Sequence, residues 1–390
     1  MKRLVVYPYV YIKVFEKKTL LLNLENHEYV ISVDDKVSSS FLKLMKGQTM
    51  NNFVDSEYLP ESFINETINK KMARLDTDNL SSPILQFSSL NFYDKEILFS
   101  RSADFIESIK NLNQQPIIID NIIGEVFDTI TVHYSTINLD MSYEMAYKQY
   151  PFPQIKSKTE NISLDDILHF LNSFYKFRRL NLIVGDIEEC CVHNLSDFIQ
   201  QVKEKFNCEI CLYCLDTSIS YVDNLDTLLD NIYVWRVGKG HIHKYQSLYL
   251  AMSYTDLNEA LDDEFCYPCY NSKNLQFIED ILSYSIPELM SLEHTENTIC
   301  RKCNLNENTY GEITILCDGN VYSDISSHPI GNIINNNCRN VILDELLFYR
   351  NWFIIRTKLA KCENCIFNEL CPSVSKIELC MQKFCFCKKQ

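Results

Sequence analysis

The chain has 390 residues, 46% of them hydrophobic, which is enough to bury a sizeable core in two or three domains. Its 37 Lys and Arg face 52 Asp and Glu, and a net charge of -15 repels a phosphate backbone, so nucleic acid is not expected as the main partner. No run of about 18 apolar residues is present, and the start Met1-Lys2-Arg3-Leu4-Val5-Val6 is broken by Pro8 and Lys13, so neither a membrane span nor a signal peptide is expected and a cytoplasmic location is.

Residues 1–90 form the first expected unit. Aromatic and branched residues predict strands over Leu4 to Val14, Leu20 to Leu24 and Glu28 to Val33. Val37, Phe41, Leu44 and Met45 recur at helical spacing until Gly47 supplies a stop, and Phe63, Ile64, Thr67, Ile68 and Met72 predict a helix over Glu61 to Leu75. Residues 1–80 carry eleven basic and eleven acidic side chains, a balance with little electrostatic footprint for DNA.

Residues 125–285 alternate strand and helix. Strands are predicted at Asp128 to Ser135, Leu180 to Val184, Cys208 to Leu215 and Ile232 to Val237. Ser163, with Asp166 three residues on, caps a helix striped by Leu164, Ile167, Leu168, Leu171, Phe174 and Tyr175, and a second helix covers Leu195 to Phe206. Asp223 to Asp230, leading into Ile232, repeats the unit. Such alternation implies a parallel sheet, and about 150 residues fall short of the roughly 250 of a closed eight-fold barrel, so an open, partial β/α barrel is expected.

Residues 286–390 are cysteine-rich. A hairpin is predicted at Gly311 to Tyr322 around the turn Asp318-Gly319-Asn320, then a helix at Leu343 to Thr357. Of 17 cysteines none precedes Cys190 and twelve lie from Cys266 onward. Cys362-x2-Cys365-x5-Cys371, followed by Cys380, Cys385 and Cys387, has the spacing of a thiolate metal or cluster site, without choosing iron-sulfur over zinc; a reduced site without metal is the plain alternative.

Two family resemblances rest on these segments. Three strands followed by helices around Leu44-Met45-Lys46-Gly47 resemble the small winged-helix domain that recognises precursor peptides in ribosomal peptide-modification systems, which implies that a leader peptide adds to a sheet edge. A β-rich cap without a ligand is the alternative. The run CENCIFNELCPS, Cys362 to Ser373, with the hairpin GEITILCDGNVYSD, Gly311 to Asp324, and Cys300 and Cys303 before it, resembles a SPASM domain, the auxiliary-cluster module of radical-SAM maturases.

The SPASM pattern is incomplete. Aligned on Gly319, the upstream cysteine is Cys303, but Asp324 stands five beyond the glycine and Ser375 four beyond Cys371, where the family has ligands of its first auxiliary cluster. That cluster is not implied unless Cys300 or Cys317 substitutes. Cys362, Cys365, Cys371 and one of Cys385 or Cys387, with Cys385 taken as the fourth, correspond to the second, so one 4Fe-4S cluster or a zinc ion is implied there.

The radical-SAM motif itself is absent. The loop after the first predicted barrel strand reads Thr136-Ile137-Asn138-Leu139-Asp140-Met141-Ser142-Tyr143-Glu144, with no cysteine, and Val184-Gly185-Asp186 stands where family members often have Gly-Gly-Glu. No S-adenosylmethionine cleavage is expected. The whole resembles the pseudo-radical-SAM proteins of the GG-Bacteroidales peptide-modification system, implying an accessory without catalysis of its own, whose partners are a precursor peptide, a true radical-SAM maturase, or both. The alternatives are an enzyme that uses the surviving site for non-radical chemistry and a DNA-binding regulator.

Other motifs carry less. Cys208-x2-Cys211-x2-Cys214 falls on a strand, which puts Cys208 and Cys214 on one face and Cys211 on the other. Cys266-x2-Cys269 has redox spacing but no assured helix N-terminus, Cys190-Cys191 invites the same caution, and His241-x-His243 after Gly238-Lys239-Gly240 reads as solvated.

Overall fold

The computed structural model describes residues 2–45, 53–76, 107, 127–134, 162–174, 176–185, 189–236, 244–260 and 264–384. The chain is mixed α/β, and no helix among the described residues is long and apolar enough to cross a membrane.

The N-terminal module has two small antiparallel sheets. The stretch predicted as one strand is two, β1 (Arg3–Val6) and β2 (Val10–Phe15), because the chain reverses through Tyr7-Pro8-Tyr9. β2 pairs with β3 (Lys18–Asn23), which pairs with β4 (Tyr29–Ser32). α1 (Asp35–Met45) follows, while Gly47 lies outside the described residues. β5 (Phe53–Asp55) and β6 (Ala73–Asp76) flank β1, with α2 (Glu61–Asn69) between them in sequence. One core holds Leu4, Leu21, Val37, Phe41, Phe63 and Met72.

α2 ends earlier than its apolar spacing predicts. Lys71 turns left-handed at φ 54°, its N–H bonding to Ile68 O at 2.9 Å and that of Met72 to Thr67 O at 3.0 Å, the reversed bond pair of a Schellman motif. Leu75 thereby passes from a predicted helix into β6.

A nine-stranded sheet dominates the rest. β7 (Thr129–His133), β8 (Arg179–Gly185), β9 (Glu209–Leu215), β10 (Asn231–Trp235), β11 (Gln246–Ala251) and β12 (Phe265–Pro268) are parallel and stand side by side in chain order. The hairpin of β13 (Glu312–Ile315) and β14 (Asn320–Tyr322) joins the same sheet, β13 lying parallel to β7, and β15 (Gly331–Asn332) closes that end. Gly319 carries the hairpin turn at φ 78°, and a β-carbon there would meet Ile162 Cγ2 at 2.9 Å.

Helices pack one face of this sheet. α3 (Leu164–Leu171) has the predicted capping box of Ser163 and Asp166, α4 (Glu189–Lys205) starts earlier than predicted, and the next crossover is built from α5 (Ile219–Val222) and short 3-10 turns. Ile130, Leu180, Leu182, Ile210, Leu212 and Val234 meet Ile167, Phe170, Phe198 and Ile199 from the helices.

α6 (Tyr254–Glu259), α7 (Leu275–Leu282), α8 (Ile286–Ser291) and α9 (Glu296–Asn304) lead to the C-terminal part. The helix predicted at Leu343 to Thr357 is not one element. α10 (Cys338–Asp344) runs into a π turn at Glu345–Tyr349, Arg350 adopts a left-handed conformation at φ 58°, and 3-10 turns follow at Asn351–Phe353 and Arg356–Lys358 before α11 (Lys376–Met381). The buried Glu345 carboxylate organises this break, taking the Trp352 N–H at 2.8 Å and the Ser323 hydroxyl at 2.6 Å.

Candidate functional site

The predicted sulfur donors lie on consecutive turns. Leu359 O accepts the N–H groups of Cys362 and Glu363 at 2.7 and 2.8 Å, and Cys362 O accepts that of Cys365 at 2.9 Å. Cys365 Sγ accepts the Phe367 N–H at 3.5 Å, and Asn368 Nδ2 donates to the carbonyls of Cys362 and Glu363 at 3.0 and 3.3 Å. Cys371 N–H bonds back to Phe367 O at 3.0 Å. Backbone and Asn368 together fix the loop that carries Cys362, Cys365 and Cys371.

Cations gather at this loop. Burial opposes the charge of Arg356, but the Glu378 carboxylate, with smaller electrostatic contributions from Cys371 and Cys362, holds its pKa above the ordinary value. Burial lowers the pKa of Lys302, which lies near Cys303 and Cys371. Cys385 and Cys387 lie outside the described residues. Among the described residues no three His, Cys, Asp or Glu side chains are placed to hold one ion, so the three thiols do not form a donor set by themselves.

The two positions that break the sulfur pattern have local structural work. Asp324 accepts the Ser326 N–H at 3.1 Å and the Ser326 hydroxyl at 2.6 and 2.8 Å, which closes a tight turn after β14. Ser375 is the N-cap of α11: its hydroxyl accepts the Glu378 N–H at 3.2 Å and Glu378 returns to the Ser375 N–H at 2.9 Å. Glu378 also takes both arms of the Arg356 guanidinium at 3.0 Å each. Ser375-x2-Glu378 is the capping-box signature, which sequence reasoning used at Ser163 and passed over here.

Cys208, Cys211, Cys214, Cys266 and Cys269 sit as structural thiols. Cys208 and Cys214 pack toward the helix-covered core and Cys211 toward the opposite face, as alternation predicts. Burial pushes the Cys208 thiol up to about 11 and that of Cys211 to about 12. Cys266 lies on β12, and burial raises both it and Cys269, whose N–H bonds to Ala251 O, so neither stands at a helix N-terminus that would activate it. Ile183, Val184 and Gly185 end β8; Asp186, the loop 136–144, His241 and His243 lie outside the described residues, as do the side chains of Cys190 and Cys191.

A polar band on the sheet escaped the sequence reading. On the face away from the α3 and α4 core, Thr131 pairs in register with Asn181, Asn181 with Cys211, and Cys211 with Asn231. Arg179 and Glu209 form an ion pair at 2.8 Å one step below, and Asn231 Nδ2 donates to the other Glu209 oxygen at 2.7 Å. One step above stand His133, Ile183 and the stacked rings of Tyr213 and Tyr233, 4.7 Å apart, with Trp235 beyond. The available signal was the interruption of apolar runs: a parallel strand covered on both faces reads as nearly continuous apolar sequence, and Asn181 and Asn231 break that rule. No family model and no curated protein matches the sequence.

Proposed function

We propose that the chain is a non-catalytic accessory of ribosomal peptide modification, a pseudo-radical-SAM protein that binds a precursor peptide, a true radical-SAM maturase, or both. The finer architecture belongs to this reading: an open, partial β/α barrel of radical-SAM type, a winged-helix-like N-terminal domain and a degenerate SPASM tail.

The observation that carries it is the order β7 to β12. Six parallel strands follow one another across the sheet without reversal, the winding of a β/α barrel, and the chain that follows the first of them has no cysteine before Cys190. Thiolates are the usual ligands of iron-sulfur clusters, so a cluster that cleaves S-adenosylmethionine has no donors where the resemblance would put them.

The N-terminal sheet supports the binding half of the reading. β4 pairs with β3 alone among the described strands. The bond from Asn23 N–H to Glu28 O fixes the parity of that ladder, so the backbone groups of Tyr29 and Ile31 point away from β3. Tyr29 O is taken by Lys70 Nζ at 2.7 Å, while Ile31 and Val33 beside it are exposed. An extended peptide can pair there through the Ile31 backbone.

The test is binding of a fluorescently labelled precursor peptide of a ribosomal peptide-modification system, measured by anisotropy with wild type and Ile31→Pro. Proline removes an outward N–H without breaking a bond to β3. Binding by wild type that falls at least about tenfold in the variant supports the reading. No binding of peptide or of the co-expressed maturase overturns it, as does 5'-deoxyadenosine formed by the isolated, reduced protein. Metal analysis of wild type against Cys385→Ser tests separately whether Cys385 completes an iron-sulfur or zinc site.

A further inference from the structure

Two buried polar atoms on the polar band have no hydrogen-bond partner: His133 Nδ1 and Asn181 Oδ1. They are near neighbours on one face. Thr131 and His133 are alternate residues of β7, Asn181 and Ile183 alternate residues of β8, and the ladder sets Thr131 beside Asn181 and His133 beside Ile183. Asn181 Nδ2 donates to Thr131 Oγ1 at 3.2 Å, which shows that these side chains share that face. An unmatched buried polar atom costs about 1–3 kcal/mol, so two on one face of adjacent strands call for a partner.

The surroundings select its charge. Arg179 is paired with Glu209, whose second oxygen is occupied by Asn231, and Glu312 is paired with Lys376. An ionic ligand would find no counter-charge left over among these groups. His133 is itself neutral at physiological pH, since burial brings its pKa down to about 3.

The surroundings also select its hydrogen-bonding pattern. Asn181 commits one amide atom to Thr131 and leaves the other, and whichever way the amide is turned the ligand must supply the complementary atom. The neutral imidazole asks for a donor or an acceptor according to its tautomer. A group that carries N–H donors and a carbonyl acceptor on one plane meets every combination, and the stacked Tyr213 and Tyr233 rings, one register step from Asn181 and Cys211, offer flat apolar surface beside it.

We infer that the band around His133 and Asn181 is a binding site for an uncharged carboxamide, such as the side-chain amide of an asparagine or glutamine in a peptide. This goes beyond the accessory reading and does not depend on the β4 edge. A single trapped water would satisfy the same two atoms, and that is the outcome the experiment must separate.

The probe is propionamide, with propionate as its charged isostere, titrated into full-length protein labelled with nitrogen-15 at histidine. The His133 ring signal is assigned as the one lost in His133→Gln. The expected result is a saturable shift of that signal with propionamide in the millimolar range, none with propionate, and at least about tenfold weaker binding in Asn181→Leu, checked as folded by circular dichroism. No saturable shift up to about 100 mM, an equal response to propionate, or unchanged binding in a folded Asn181→Leu overturns the site and leaves a water. The amide-against-carboxylate comparison is made on wild type, so the test survives an Asn181→Leu that does not fold.

Discussion

Lys71 shows how a single residue sets an element boundary. It holds the left-handed position that terminates α2, where a β-carbon costs about 1 kcal/mol relative to glycine. Its carbonyl, which accepts the Tyr9 hydroxyl at 3.0 Å and Asn23 Nδ2 at 3.1 Å, is backbone and survives substitution. Lys71→Gly is expected to raise stability by roughly 1 kcal/mol, read as a higher urea midpoint at unchanged slope; a lower midpoint would contradict the strain. Glu345 offers a second residue-scale test. Burial lifts its carboxyl to about 7, against hydrogen bonds from Ser323, Trp352 and Asn351 that favour the charge. The folded pKa lies above the unfolded one, so the folded state binds the extra proton. The stabilisation is complete below about pH 4.5 and is lost as pH rises through about 7, an effect on the order of 3 kcal/mol. Glu345→Gln should flatten that slope, and unfolding curves of the two proteins that stay parallel from pH 5 to 8 would refute the assignment.

Among the elements, α11 carries the sharpest prediction. Its Ser375–Glu378 box and the Arg356–Glu378 pair hold the last described helix against the thiol loop, and the pair is nearly buried. Ser375→Ala should cost about 1 kcal/mol as a lost cap, whereas Arg356→Leu, which strands a buried carboxylate, should cost about 3–5 kcal/mol. Equal losses in urea unfolding would mean that the ion pair does not anchor the helix. Local chemistry was legible in the sequence, although the Ser375 box of this element was passed over. Where local chemistry decides, as in the Ser163 cap, the Asp318-Gly319 turn and the alternation of Cys208, Cys211 and Cys214, the sequence predicts the structure. Distant contacts were not legible. The Leu343 to Thr357 run has helical spacing, yet a buried carboxylate bonded to Ser323 breaks it, and nothing local announces Ser323 as a partner. Thr131 and Asn181 become neighbours only through the β7–β8 register, so the polar band lay hidden in alternate positions of apolar strands. β11 and β12, short and mixed in composition, gave no strand signal strong enough to read.

At the scale of the molecule, the N-terminal module is packed onto the C-terminal one and is not a bead on a tether. The β2-β3-β4 sheet faces its own core on one side through Val10, Ile12 and Leu21, and on the other presents Tyr11, Leu20 and Leu22 to Leu289, Ile299, Ile366 and Leu370. Lys13, almost fully buried, pairs with Glu369 at 2.5 Å and also bonds Asn368, while the Tyr11 hydroxyl donates to Glu369 at 2.7 Å. Asn368 is the side chain that ties the cysteine loop, so β2, two strands from the proposed peptide edge, and the thiol turns share one contact. Breaking it from one side leaves a buried ammonium without its counter-charge, a loss of about 3–5 kcal/mol, whereas removing both charges restores much of it. Glu369→Leu should therefore uncouple the modules, turning one urea transition into two and exposing the β2 and β3 amides to hydrogen exchange ahead of those of β8 and β9. Lys13→Met with Glu369→Leu should recover a single transition. If Glu369→Leu instead unfolds in one step with wild-type exchange order, the two modules are held together by apolar packing alone, and the state of the cysteine loop has no polar route to the β4 edge.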